Sequence, residues 1–200
     1  MKSNAKPRMD VVKREDKEEK LKAFISNYLT ASGPCHSGEP WLLVARSAES
    51  PVVLALCAMA PAIKAAGYDI KALLTSVAPN VPDSTARVAI GFACELRIAR
   101  DIRFLDAHEQ LRIDTTTSWV GDCMRREPAK RDAYECYANG CAETADWSAK
   151  AFGRLWDRSE PVMVVEDAPT ASVPAAVPEM DACVSQFAQV PSTVVASTRH

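Results

Sequence analysis

Residues Arg103–Arg126 read RFLDAHEQLRIDTTTSWVGDCMRR, and the fold is decided in this stretch. Successive side chains of a strand point to opposite faces, so residues of one parity share a face. Leu105, Ala107, Leu111 and Ile113 fall on one face together with Glu109, and Asp106, His108, Gln110 and Arg112 fall on the other. The first set suits a core; the second suits a cleft, a partner or water. Asp114–Thr117 supplies turn residues, and Trp119, Val120 and Gly121 fit a returning strand. Gly121 would allow a close approach to the backbone. A strand, a tight polar turn and a second strand, with one histidine near the centre of the stretch, is the expected hairpin.

Working outward, the chain alternates strand and helix patterns. Upstream, Trp41–Ala45 is a short apolar run, Val52–Ala66 is apolar nearly all round and ends at Gly67, and Ile70–Val77 is apolar again. That succession predicts a βαβ unit with a parallel strand pair. No glycine-rich loop joins Ala45 to Pro51, so the dinucleotide-binding fingerprint is missing. Glu95–Ala99 alternates and is expected to be a strand, while Ser84–Phe92 fits a short helix or a strand. Leu21, Phe24, Ile25 and Tyr28 recur at helical spacing, which predicts a helix over Asp16–Leu29. Downstream, Glu127-Pro128 predicts a helix over Ala129–Tyr137 that stops at Asn139-Gly140. Thr144 is expected to cap a helix over Ala145–Arg158, with Trp147, Ala151, Phe152, Leu155 and Trp156 as its core stripe.

The hairpin resembles the second half of the phospholipase D-like nuclease motif. In that family a His is followed two positions on by a Lys, then by an Asp, a hairpin and a Gly-Ser-x-Asn segment. His108 stands at the His position, Asp114 near the Asp position in a spacing one residue shorter, and Gly121 at the Gly position. Gln110 replaces the Lys, Asp122 replaces the Ser, and Met124 falls where the Asn would be. With its flanking elements, the resemblance spans Pro40 to Val162. It implies an α/β fold with a single mixed β-sheet flanked by helices. It also implies His108 as nucleophile with Asp114 in support, and Gln110, Arg112, Asp122, Arg125 and Arg126 as the residues facing a phosphate.

The substitutions bear on chemistry. Phosphoryl transfer depends on positioning and on neutralising developing charge. Gln110 removes a cation and Asp122 adds repulsion, while Arg112, Arg125 or Arg126 could compensate. The expectation is therefore a binding or regulatory protein on a degenerate phospholipase D-like fold, not an enzyme. Family members pair two motifs across an interface and this chain carries one, so the resemblance implies a homodimer. One alternative is a phosphodiesterase in which His108 attacks nucleic acid or a phospholipid. Another is a nucleic-acid-binding module using Arg125, Arg126, Lys130 and Arg131 around a helix N-terminus.

The bulk numbers limit these options. The 200 residues carry a net charge of −2, with 48% hydrophobic and 25% charged residues, which is ordinary for one globular domain. That balance gives no global attraction to nucleic acid, although a local basic patch remains open. Seven cysteines and no secretory signal favour reduced thiols and a cytoplasmic setting. Their spacing lacks the short pairs of a zinc site, so neither a metal nor another cofactor is expected. No apolar run is long enough to span a membrane. Three regions are expected: a charged, solvated arm over 1–20, the α/β domain over 21–160, and a proline-punctuated disordered tail over 161–200.

Overall fold

The computed structural model describes residues 6–32, 38–75, 91, 93, 95–100, 107–124 and 132–162. All of them belong to one compact unit, Met1–Val165. In chain order the elements are β1 (Arg8–Val12), α1 (Lys17–Ser32), β2 (Trp41–Ala45), α2 (Pro51–Ala65), β3 (Ile70–Leu74), β4 (Glu95–Ile98) and β5 (His108–Arg112). β6 (Ser118–Cys123), β7 (Ala133–Ala138), α3 (Ala142–Trp156) and β8 (Glu160–Pro161) follow. Eight strands form one mixed sheet in the order β1-β7-β6-β5-β2-β3-β4-β8. β2, β3 and β4 run parallel, and the remaining pairs are antiparallel.

The central strands are apolar on both faces because helices cover both. Trp41, Leu43, Ala45, Leu111 and Trp119 pack with Leu21 and Ile25 of α1 and with Val53 and Leu56 of α2. Val44 and Leu73 point the other way, onto Phe152 of α3. Pro51 stands in the first turn of α2, and Gly67 ends it at φ 80°, in the left-handed region that favours glycine.

Four expectations are corrected. Arg8–Val12, read as part of a solvated arm, is an edge strand with Val12 buried. Its mixed charges hide an alternation that appears only when the strand pairs with β7. Ala133–Ala138 is a strand, not the second half of a helix over Ala129–Tyr137, whose residues 129–131 lie outside the described residues. Pairing on both sides, to β1 and β6, and the aromatic-rich sequence Tyr134-Glu135-Cys136-Tyr137 outweigh local helix propensity. α3 begins at Ala142 with Cys141 as the residue before it, so Thr144 lies inside the first turn rather than capping it. Trp147 is 46% exposed and stands off the core, unlike Phe152 on the same helix. The disordered tail and the 84–90 stretch lie outside the described residues, as does every residue after Val162.

Candidate functional site

His108 opens β5, and its position is set by an irregularity in the hairpin. Gln110 pairs with Val120 but His108 pairs with Cys123, so the returning strand carries one extra residue between them. The displaced backbone brings the Gly121 carbonyl to 2.9 Å from His108 Nδ1. A carbonyl only accepts, so this contact requires the proton on Nδ1 and leaves Nε2 as the lone-pair nitrogen of the neutral ring. Gly121 is needed for packing: a Cβ there would overlap the Trp119 ring. The close approach expected at this glycine is thus made by a neighbouring indole.

A shallow groove of about 160 Å³ opens beside the imidazole, between the sheet and α3. Ala107, Trp147, Ala151 and Leu155 form its walls, with Gln110 at its edge. No cationic side chain lines it among the described residues. Gln110 is almost wholly buried, and its amide donates to the Ser148 carbonyl of α3 at 2.9 Å. The face expected to be an open cleft is therefore covered at this point by a helix.

The other residues assigned to the site are dispersed. Asp114 lies six positions beyond His108, and in extended chain that separates them by about 20 Å. Its carboxylate accepts from the backbone N–H groups of Thr116 (2.6 Å) and Thr117 (2.7 Å) and from the Thr116 hydroxyl (3.0 Å). It organises the turn and is too distant to orient the imidazole. Arg112, also at the turn end of β5, pairs with Glu39 at 3.2 Å. Asp122 accepts from the N–H of Cys123 at 2.8 Å, on the strand facing His108. Met124 is buried and accepts from the Thr75 hydroxyl at 3.1 Å, so it serves the core. Arg125, Arg126, Lys130 and Arg131 lie outside the described residues.

A second polar constellation, not anticipated as such, lies on the opposite face of the sheet. Lys17 of α1, Glu109 of β5 and Glu135 of β7 are all buried. Lys17 Nζ is 4.0 Å from a Glu135 oxygen. The other Glu135 oxygen accepts from the Tyr137 hydroxyl (2.7 Å) and the Trp119 indole N–H (3.2 Å). Glu109 accepts from the backbone N–H of Arg46 at 3.0 Å. Burial pushes both carboxyls above the usual range, and their hydrogen bonds and the Lys17 charge oppose the rise. The presence of Glu109 in an otherwise apolar parity set was the available signal. Its two partners come from elements that long-range pairing alone brings together. These groups fasten α1 to two strands.

Among the described residues, no group of three or more His, Cys, Asp or Glu is placed to hold a metal ion. None of the described helices is long and apolar enough to cross a membrane.

Comparison with known proteins finds no matching family model and no matching curated protein. Solved structures do match. The chain is similar to Nuc of Salmonella typhimurium, a phospholipase D family member, at 15% identity and a TM-score of 0.55, covering 78% of this chain and 98% of that one. NucT of Helicobacter pylori matches at 10% identity and a TM-score of 0.47, covering 78% and 98%. The archaeal chromatin protein TrmBL2, whose structure shows a mode of DNA binding, matches at 15% and 0.48, covering 78% of this chain and 54% of that one. The likeness to Nuc shows the fold: a single mixed eight-stranded sheet with flanking helices, similar to that of the phospholipase D family.

Proposed function

We propose that this protein is a binding or regulatory protein on a phospholipase D-like frame whose phosphate-holding apparatus has been lost. The observation that carries the reading is Gln110. At the position where the family motif has a lysine, the side chain is a neutral amide, buried under α3 and bonded to the Ser148 carbonyl. A phosphodiester at the imidazole would meet Trp147, Ala151 and Leu155, and no oriented cation among the described residues. Such stabilisation of developing charge is commonly the largest single contribution to this kind of catalysis. The shallow groove beside His108, walled by the exposed Trp147, is then a contact surface, with a second copy of the chain as its partner. Light scattering after size exclusion should give the mass of a dimer at micromolar concentration.

A second reading, a phosphodiesterase, is favoured by one feature. The Gly121 carbonyl fixes Nδ1 and leaves Nε2 as the nitrogen able to attack. It would require Arg125 or Arg126 to supply the charge. Hydrolysis of bis(p-nitrophenyl) phosphate by the wild type and by His108→Ala decides between the two. Equal background rates support the binding reading. A wild-type rate that exceeds that of His108→Ala supports the enzyme.

A further inference from the structure

The charges on the exposed part of α1 are sorted. Lys22 is tied to Glu18 and, at 2.9 Å, to Glu19. Lys20 forms no ion pair with a carboxylate among the described residues, although its charge acts on the buried Glu135. It looks into a groove between α1 and the edge strand β1, where Lys6 and Arg8 join it. Asp10 is the one acid in the lining, and it pairs with Arg8 at 2.8 Å. Three cations against one carboxylate, in a chain whose net charge is −2, make this a local positive field.

The rest of the lining is also polar in a specific way. The amides of Asn27 and Asn139 stand on the rim with no hydrogen-bond partner among the described residues. Each offers both donor and acceptor groups. Phe24 and Tyr137 meet edge-to-face at 5.4 Å and form the floor. The groove holds about 320 Å³, which suits a ligand of nucleotide size. It lies on the α1 side of the sheet, whereas the His108 groove lies on the α3 side.

We propose that this groove binds a nucleotide phosphate, as a free nucleotide or as one unit of a single strand. Lys6, Lys20 and Arg8 would take the phosphate. Asn27 and Asn139 can read the polar edge of a base, and the part-exposed ring of Tyr137 can receive its face. An acidic peptide would leave the two amides and the ring surface without a purpose. The inference does not depend on His108 or on whether the protein is an enzyme.

The test uses the full chain and a fluorescein-labelled oligodeoxythymidylate, read by fluorescence anisotropy. Binding should weaken as salt rises, with a logarithmic slope of about −0.7 for the one strand phosphate held. Lys6→Glu with Lys20→Glu should lower affinity by about tenfold or more. Asn27→Ala with Asn139→Ala should weaken binding without changing the salt slope, and circular dichroism should show all variants folded. His108→Ala should bind as the wild type does. Displacement of the oligonucleotide by AMP would assign the groove to free nucleotides, and failure to displace it would assign the groove to strands; both support the proposal. Equal binding of polyglutamate, unchanged affinity in the double Lys variant, or loss of binding in His108→Ala alone would overturn it.

Discussion

Replacing Lys17 by Met removes the ammonium that sits between two buried carboxylates while leaving a side chain of similar length. Removing one partner of a buried ion pair costs about 3–5 kcal/mol, because the remaining charge is left uncompensated. Two features place this case near the lower end. The Lys17–Glu135 separation is long, at 4.0 Å, and Glu135 keeps the Tyr137 and Trp119 donors. The expected loss is about 3 kcal/mol at neutral pH, or a fall of roughly 6–12 °C in Tm for a chain of this size. The pH dependence carries the mechanism. Glu109 and Glu135 have folded pKa values raised above their unfolded ones by burial. The folded state therefore holds protons more tightly, and stability falls as pH rises from the ordinary carboxylate range through the raised values. Without Lys17 both values rise further, so the penalty of the variant should be small at pH 5 and largest at pH 8. Urea unfolding followed by tryptophan fluorescence at both pH values measures it. A penalty that is the same at the two pH values would mean that lost packing, not uncompensated charge, is the cause, and would refute the reasoning. Glu135→Gln added to Lys17→Met should recover at least about 1 kcal/mol at pH 8, since one buried charge is gone.

Other changes test the hairpin. Gln110→Lys restores the family-like residue, but its ammonium would be buried under α3 against one carbonyl. It should destabilise by about 3 kcal/mol or more and leave hydrolysis at background, checked by thermal melts and by phosphodiester assay. Gly121→Ala should cost about 1–3 kcal/mol through overlap with the Trp119 ring, read as a lower urea midpoint and altered tryptophan emission. Asp114→Ala unties the turn and should cost about 1 kcal/mol. The loss should appear as a lower urea midpoint.

Much of the fold was legible because its central strands are buried on both faces. Trp41–Ala45 and Ile70–Leu74 are continuous apolar runs, and Pro51 and Gly67 bracket the helix between them with unambiguous start and stop chemistry. The periphery was not legible. Arg8–Val12 and Ala133–Ala138 gain their structure mainly from pairing with each other and with β6, and the two tyrosines of the second are the one local sign of a strand. The site was legible only in part. His108 could be singled out from the sequence, as could Gln110 two positions on, where the resembled motif has a lysine. The turn bonds of Asp114 are local, to Thr116 and Thr117, but that Gln110 is covered by α3 depends on how a helix from far along the chain crosses the sheet. The same holds for Lys17, Glu109 and Glu135, which lie 92 residues apart from first to second and 26 from second to third in sequence.

Among the described residues, no cation stands beside the His108 imidazole to hold a phosphate. The most direct measurement is the ¹⁵N–¹H spectrum of the histidine rings, with His108 assigned from His108→Ala, during titration with diethyl phosphate. The predicted spectrum has the His108 proton on Nδ1 and is unchanged by millimolar phosphodiester. A saturable shift of the His108 nitrogens would contradict the account, because it would require an anion held at the ring.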